Sequence, residues 1–169
     1  MLTICKCLAS LNLESPPRRA ACLVRLIMSF KDLGVNPALT KVLHASGIEK
    51  PFPIQKATLP DAIAGKDILG RGQTGSGKTL AFGLALMTRL VDRTAASMRP
   101  LALVLSPTRE LAMQISDVIA PLSRSVNLNS QVVAGGLSYS KQIQALKRGV
   151  PIVVATPGRL IDLIQKKQY

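Results

Sequence analysis

Gly72-Gln-Thr-Gly-Ser-Gly-Lys78-Thr79 fits the spacing G-x-x-x-x-G-K-[ST]. In this pattern glycines at Gly72, Gly75 and Gly77 let backbone N–H groups turn inward around phosphate oxygens. Thr74 and Ser76 complete the loop, and the start of a following helix adds a positive dipole end. Lys78 is then placed to reach the terminal phosphates, and the Thr79 hydroxyl to hold a magnesium ion. The segment lies between a strand-like run and a helix-like run, which is the context the chemistry needs. A nucleoside triphosphate site follows. The reaction does not, because kinases, GTPases, ATPases and motors all use such a loop.

Three further segments carry groups suited to a phosphate backbone. Ser106-Pro-Thr-Arg-Glu-Leu-Ala112 ends a buried apolar run and opens a helix, with Thr108 as cap and Arg109 in the first turn. Thr156-Pro-Gly-Arg159 repeats the arrangement, with Thr156 as cap and Pro157 at the first helical position. Gly135-Gly136 follows another strand-like run and permits close approach of a second backbone. Taken singly, each is also what an ordinary capped helix or tight turn looks like. In a parallel sheet all three emerge at the carboxyl ends of strands, on the rim expected to hold the phosphate loop. Together they make a track for a nucleic-acid strand, gripped without sequence preference.

The elements that must position these groups alternate. Pro37 to Ser46 looks helical; Asp67-Ile-Leu-Gly70 reads as a short strand and Leu80 to Val91 as a largely buried helix. Leu101 to Leu105 is a buried strand, Thr108 to Leu122 a helix, Asn127 to Ala134 a strand and Ser138 to Arg148 a helix. Pro151 to Ala155 is a strand and Pro157 to Lys167 a helix. Strands and helices alternating at this spacing predict an α/β domain with a parallel sheet and helices on both faces.

The chain has 169 residues, enough for one domain, and 47% hydrophobic against 18% charged residues is a core-forming composition. Twenty-two Lys and Arg against nine Asp and Glu give a net charge of +13, which points to an anionic partner. No acidic residue lies between Asp117 and Asp162, where Arg124, Lys141, Lys147, Arg148 and Arg159 all fall. No run approaches the roughly 18 uncharged apolar residues that a membrane helix needs. With two Tyr, three Phe and no Trp, a base-stacking platform is not supported. Cys5, Cys7 and Cys22 all lie in the first 27 residues, so the remainder suits a reducing, cytoplasmic setting. Residues 1–27, with Pro16-Pro17 and no sustained periodicity, read as a leader outside the fold, or as sequence upstream of a start at Met28.

Taken in order, Thr74 to Thr79, Pro107-Thr-Arg-Glu-Leu-Ala112, Gly135-Gly136 and Thr156-Pro-Gly-Arg159 resemble successive motifs of the DEAD-box RNA helicases. Upstream, Gly47-Ile-Glu-Lys-Pro-Phe-Pro-Ile-Gln55 is similar to that family's Q motif, with Phe30 in place of its isolated aromatic. The resemblance implies a RecA-like phosphate-loop fold over residues 28–169, incomplete, with ATP and Mg2+ as cofactors and RNA as partner. It implies that Gln55 bonds the adenine edge, that Ile48 covers its face, and that Phe30 adjoins it. Thr108, Arg109, Gly135, Gly136, Thr156, Pro157, Gly158 and Arg159 would hold the RNA sugar–phosphate backbone. Three positions depart from the family's usual residues: Gly72 for Ala, Ile48 for an aromatic, and Phe52 for Thr or Ser. The Asp-Glu-Ala-Asp strand that names the family is expected after the last helix, and no Asp-Glu pair occurs in the sequence. The expectation is therefore an ATP-dependent RNA helicase whose catalytic carboxylates lie elsewhere, leaving apolar faces and a strand edge uncovered here. The alternative is a non-enzymatic ATP- or RNA-binding fragment.

Overall fold

A computed structural model describes residues 29–95 and 99–166. The leader expected over residues 1–27, the start at Met28, and Lys167 at the end of the last helix lie outside the described residues.

Among the described residues six helices and three strands follow one another. Helix α1 (Pro37–Ala45) begins where Asn36 Oδ1 accepts a bond from Ala38 N at 2.8 Å, and it buries Leu39 and Leu43 one turn apart. Helix α2 (Pro53–Ile63) was not expected. Its apolar residues form no clean 3.6-residue stripe and Pro60 sits in its interior, so only Gln55 and Leu59 are buried. Helix α3 (Lys78–Leu90) buries Ala81, Gly83, Leu84, Ala85, Leu86, Met87 and Leu90, which makes it the central helix. At Gly83 the Leu122 side chain comes so close that an added Cβ would lie 3.3 Å from Leu122 Cδ1, and α3 and α4 (Arg109–Ser125) pack across that point.

Strands β1 (Ala102–Leu105), β2 (Ser130–Val133) and β3 (Ile152–Ala155) form a parallel sheet in the order β1-β3-β2. The central strand β3 is buried along its whole length. Ile152 and Val154 face the larger core beneath α1, α3 and α4. Val153 and Ala155 face a second core, with Leu146 of α5 (Tyr139–Lys147) and Leu160 and Leu163 of α6 (Pro157–Gln165). Helices thus cover both faces, as the alternation predicts.

Three strand expectations are corrected. The run Asp67 to Gly70 is not a strand: Ile68 makes a lone bridge, because a strand exists only where a partner supplies a ladder. The expected strand from Asn127 starts only at Ser130, since Asn127 takes φ 56°, a left-handed value no strand residue adopts. β1 has a described neighbour on one side only, and its Leu103 and Leu105 are exposed. The strand expected to be buried over Leu101 to Leu105 is thus buried only at Val104, because alternate side chains point to opposite faces.

Candidate nucleotide and nucleic-acid interface

The phosphate loop runs straight into α3. Gly75 and Gly77 take φ values of +82° and +83°, where a side chain is strained, and Gly77 stands at the N-cap of α3 with no side-chain cap. A Cβ on Gly77 would also lie 2.6 Å from Gln55 Nε2 and 2.9 Å from Phe52 Cδ2. Lys78 folds back over the loop: its Nζ donates to Gly72 O at 2.7 Å, to Gln73 O at 2.5 Å and to Ser76 Oγ at 3.3 Å. Among the described residues no carboxylate pairs with it. An ammonium seated on backbone carbonyls, with Thr79 beside it at an uncapped helix start, is the donor set a polyphosphate requires. Phosphate oxygens would take the places that the two carbonyls hold now.

Gln55, which the resemblance assigns to the adenine edge, is turned into the protein here. Its side chain is completely buried; Oε1 accepts from Phe52 N at 2.9 Å and Nε2 donates to Gly77 O at 3.2 Å. Each end of the amide thus makes one bond within the protein, tying the start of α2 to the phosphate loop. Ile48 follows the left-handed Gly47, donates its N–H to Leu43 O at 2.9 Å, and leans on the larger core. It shares a shallow surface pocket with Glu49, Lys50 and the half-exposed Phe52. Phe30 does not line that pocket; its ring is buried in the larger core.

The three strand-end segments come together. Leu105, Ala155 and Val133 stand in register, and Ser106 N and Thr156 N each donate to the neighbouring strand's end at 2.9 Å. The residues that follow therefore leave the sheet at one level. Gly136 has φ +73°, and a Cβ there would lie 2.5 Å from Arg109 Nη1, so the guanidinium rests against the glycine turn. From the other side, Arg159 Nη1 donates to Leu137 O at 3.5 Å. Gly135 and Gly158 have open space where a side chain would be. Thr108 caps α4 as expected, accepting from Leu111 N at 3.3 Å. Thr156 holds the cap position of α6 above Pro157, but its side chain makes no capping bond, so the expected cap is absent. The first-turn N–H groups of α6 are left without a side-chain acceptor.

Residues 52–169 match the sequence profile of the DEAD/DEAH box helicase family. The chain belongs to that family. It is 45% identical over 137 residues to DEAD-box ATP-dependent RNA helicase 53 of Oryza sativa subsp. japonica, covering 79% of this chain and 22% of that protein. It is 43% identical over 143 residues to ATP-dependent RNA helicase RhlB of Xanthomonas oryzae pv. oryzae, covering 82% of this chain and 25% of that one. The crystal structure of the RNA-helicase Prp28 from Chaetomium thermophilum bound to ADP superimposes with a TM-score of 0.73 at 36% identity, over 81% of this chain and 34% of that one. The chain thus spans about a quarter of the length of the curated relatives it matches. Its α/β architecture is that of a DEAD/DEAH box helicase domain.

Two residues of this chain carry weight at the site without having been singled out from the sequence. Gln142 of α5 is buried, and its Nε2 donates to Ala134 O at 3.1 Å, fixing the end of β2 just before the glycine pair. Its chemistry is visible only as a polar residue on an otherwise inward-facing helical position. Tyr139, at the start of α5, receives the Arg159 guanidinium 5.1 Å from its ring centroid and the Lys166 ammonium at 5.2 Å. Lys166 also pairs with Asp162 at 2.8 Å, a bond that lowers the Asp162 carboxyl and raises the Lys166 ammonium from their ordinary values. No sequence periodicity links residue 139 to residue 159.

Proposed function

We propose that this chain binds ATP at the loop Gly72–Thr79 and the sugar–phosphate backbone of RNA at the rim formed by Thr108–Arg109, Gly135–Gly136 and Thr156–Arg159. In the protein to which it belongs these sites would serve ATP-dependent local unwinding of RNA duplexes. One observation carries the reading. Among the described residues Lys78 and Arg159 donate to backbone carbonyls, Arg109 lies against the Gly136 turn, and none of the three is in a salt bridge, so their charge is left for a polyanion. A magnesium ion held by Thr79 and the phosphates would neutralise charge on the transferring group. The chain's own residues bind and orient: the loop N–H groups and Lys78 hold the phosphates, and Gln55 ties the loop to α2. The two arginines and the uncapped α6 start hold RNA.

Among the described residues no three His, Cys, Asp or Glu side chains converge on a metal. With no Asp-Glu pair in the sequence, nucleotide binding without RNA-stimulated turnover is the expected behaviour of the 169 residues alone. The test is a pair of titrations, with a fluorescent ATP analogue and with a labelled single-stranded RNA. Lys78→Ala should weaken nucleotide about tenfold or more, the loss of one charge-assisted bond of roughly 1.5–3 kcal/mol. Arg109→Ala and Arg159→Ala should each weaken RNA and flatten its salt dependence by about 0.7 in the log–log slope. RNA affinity that is insensitive to salt and to both arginines would overturn the reading.

A further inference from the structure

We propose that Tyr139 is the positioning residue for Arg159, holding the guanidinium by its ring face so that it meets a nucleic-acid phosphate already in place. The inference rests on the reading of Arg159 as an RNA contact. The geometry points to it in three ways. Arg159 sits 5.1 Å from the ring centroid, within the distance at which a cation is held by an aromatic face. Its only other contact named above is the long bond to Leu137 O at 3.5 Å, which leaves most of its donors unspent. Lastly, the acidic residue nearest in sequence on α6, Asp162, takes its ion pair from Lys166 at 2.8 Å, so Arg159 feels that carboxylate only through space and not as a salt-bridge partner.

The choice of a ring over a carboxylate matters electrostatically. A carboxylate would fix the guanidinium equally well but would cancel its charge, which defeats a site for polyanions. An aromatic quadrupole attracts the cation and leaves its net charge in place. Arg159 and Asp162 on α6 and Lys166 at its C-cap stand at i, i+3 and i+7, one stripe two turns long beside Tyr139. Lys166, bonded to Asp162 and lying against the same ring, closes the stripe at its far end. Arg side chains lose many rotamers on binding, so holding one beforehand lowers the ordering cost of the complex. Tyr139 belongs to none of the motifs that carry the family resemblance.

The experiment measures RNA affinity by anisotropy, with thermal melting as a fold control, for the wild type, Tyr139→Phe, Tyr139→Leu, Arg159→Ala and the double variant Tyr139→Leu/Arg159→Ala. Tyr139→Phe keeps the ring face and should bind as the wild type does. Tyr139→Leu should bind about three- to tenfold more weakly and should cost nothing further once Arg159 is alanine. Replacing residue 139 by phenylalanines of increasing fluorine content keeps the shape while draining the ring face, so affinity should fall with each fluorine. This series stays informative even where Tyr139→Leu does not fold. Unchanged affinity across the fluorine series, or additive losses in the double variant, overturns the positioning role alone. Wild-type RNA affinity in Arg159→Ala would instead overturn the reading of Arg159 on which the inference stands.

Discussion

Replacing Gln55 tests how the phosphate loop is braced. The amide is completely buried and makes two bonds, from Phe52 N at 2.9 Å and to Gly77 O at 3.2 Å. Gln55→Leu keeps nearly the same volume and removes both. At roughly 0.5–1.5 kcal/mol for each bond the loss is about 1–3 kcal/mol. For a domain of this size that is a fall of roughly 3–12 °C in melting temperature. Gly77 O still accepts from Ala81 N at 3.0 Å, so the larger share of the loss falls at Phe52 N. Gln55→Glu sharpens the test. Its protonated form can still accept from Phe52 N and donate to Gly77 O, whereas the ionised form buries a charge facing a carbonyl oxygen. The positive end of α3 offsets part of that cost. The folded-state carboxyl is then raised above its unfolded value. Stability is full below the unfolded carboxylate range and is lost as pH rises through the folded value. Melting curves by differential scanning fluorimetry between about pH 5 and pH 8 should therefore fall for Gln55→Glu relative to the wild type. If Gln55→Leu melts with the wild type and Gln55→Glu shows no such slope, the amide is not seated on Gly77, and the brace does not exist.

Three further outcomes follow from the geometry. Gly136→Ala combines a left-handed φ of +73° with a Cβ 2.5 Å from Arg109 Nη1. It should cost about 1–2 kcal/mol in a melt and weaken RNA binding by displacing the guanidinium; unaltered RNA affinity would separate Arg109 from the interface. In Gly72→Ala the new Cβ meets Ser76 Oγ at 2.8 Å, so the hydroxyl must turn away and Lys78 loses one of the three bonds that hold it folded back. ATP-analogue affinity should be equal or higher, and weaker binding would mean that the folded-back loop does not compete with phosphate. The Asp162 carboxyl, lowered first of all by its bond from Lys166, adds stability above the unfolded carboxylate range that is lost as pH falls through its lowered value. An NMR titration of Asp162 should move back toward the ordinary range in Lys166→Ala, and an unmoved midpoint would remove Lys166 as the cause.

Much of the fold was legible because it is local. Alternating apolar runs, Thr108 as a cap, Pro157 at a first helical position and the glycines of the phosphate loop each act within a few residues. The misses have equally specific causes. α2 was hidden because only Gln55 and Leu59 are fully buried, one of them polar, and Pro60 sits within it, so no clean apolar stripe marks it. Asp67 to Gly70 has the composition of a strand, but strand character needs a partner, and composition carries no record of one.

The 169 residues by themselves determined the family, the α/β alternation and the types of group that face phosphate, since spacing within a motif is set by the covalent chain. Only the tertiary structure decided what those groups touch. Gln55 meets Gly77, and Arg159 meets Leu137, each across 22 residues of sequence. Tyr139 takes up Arg159 because α5 and α6 cover the same face of the sheet. Contacts of this kind arise from how helices pack over strands, and short-range periodicity holds no information about them.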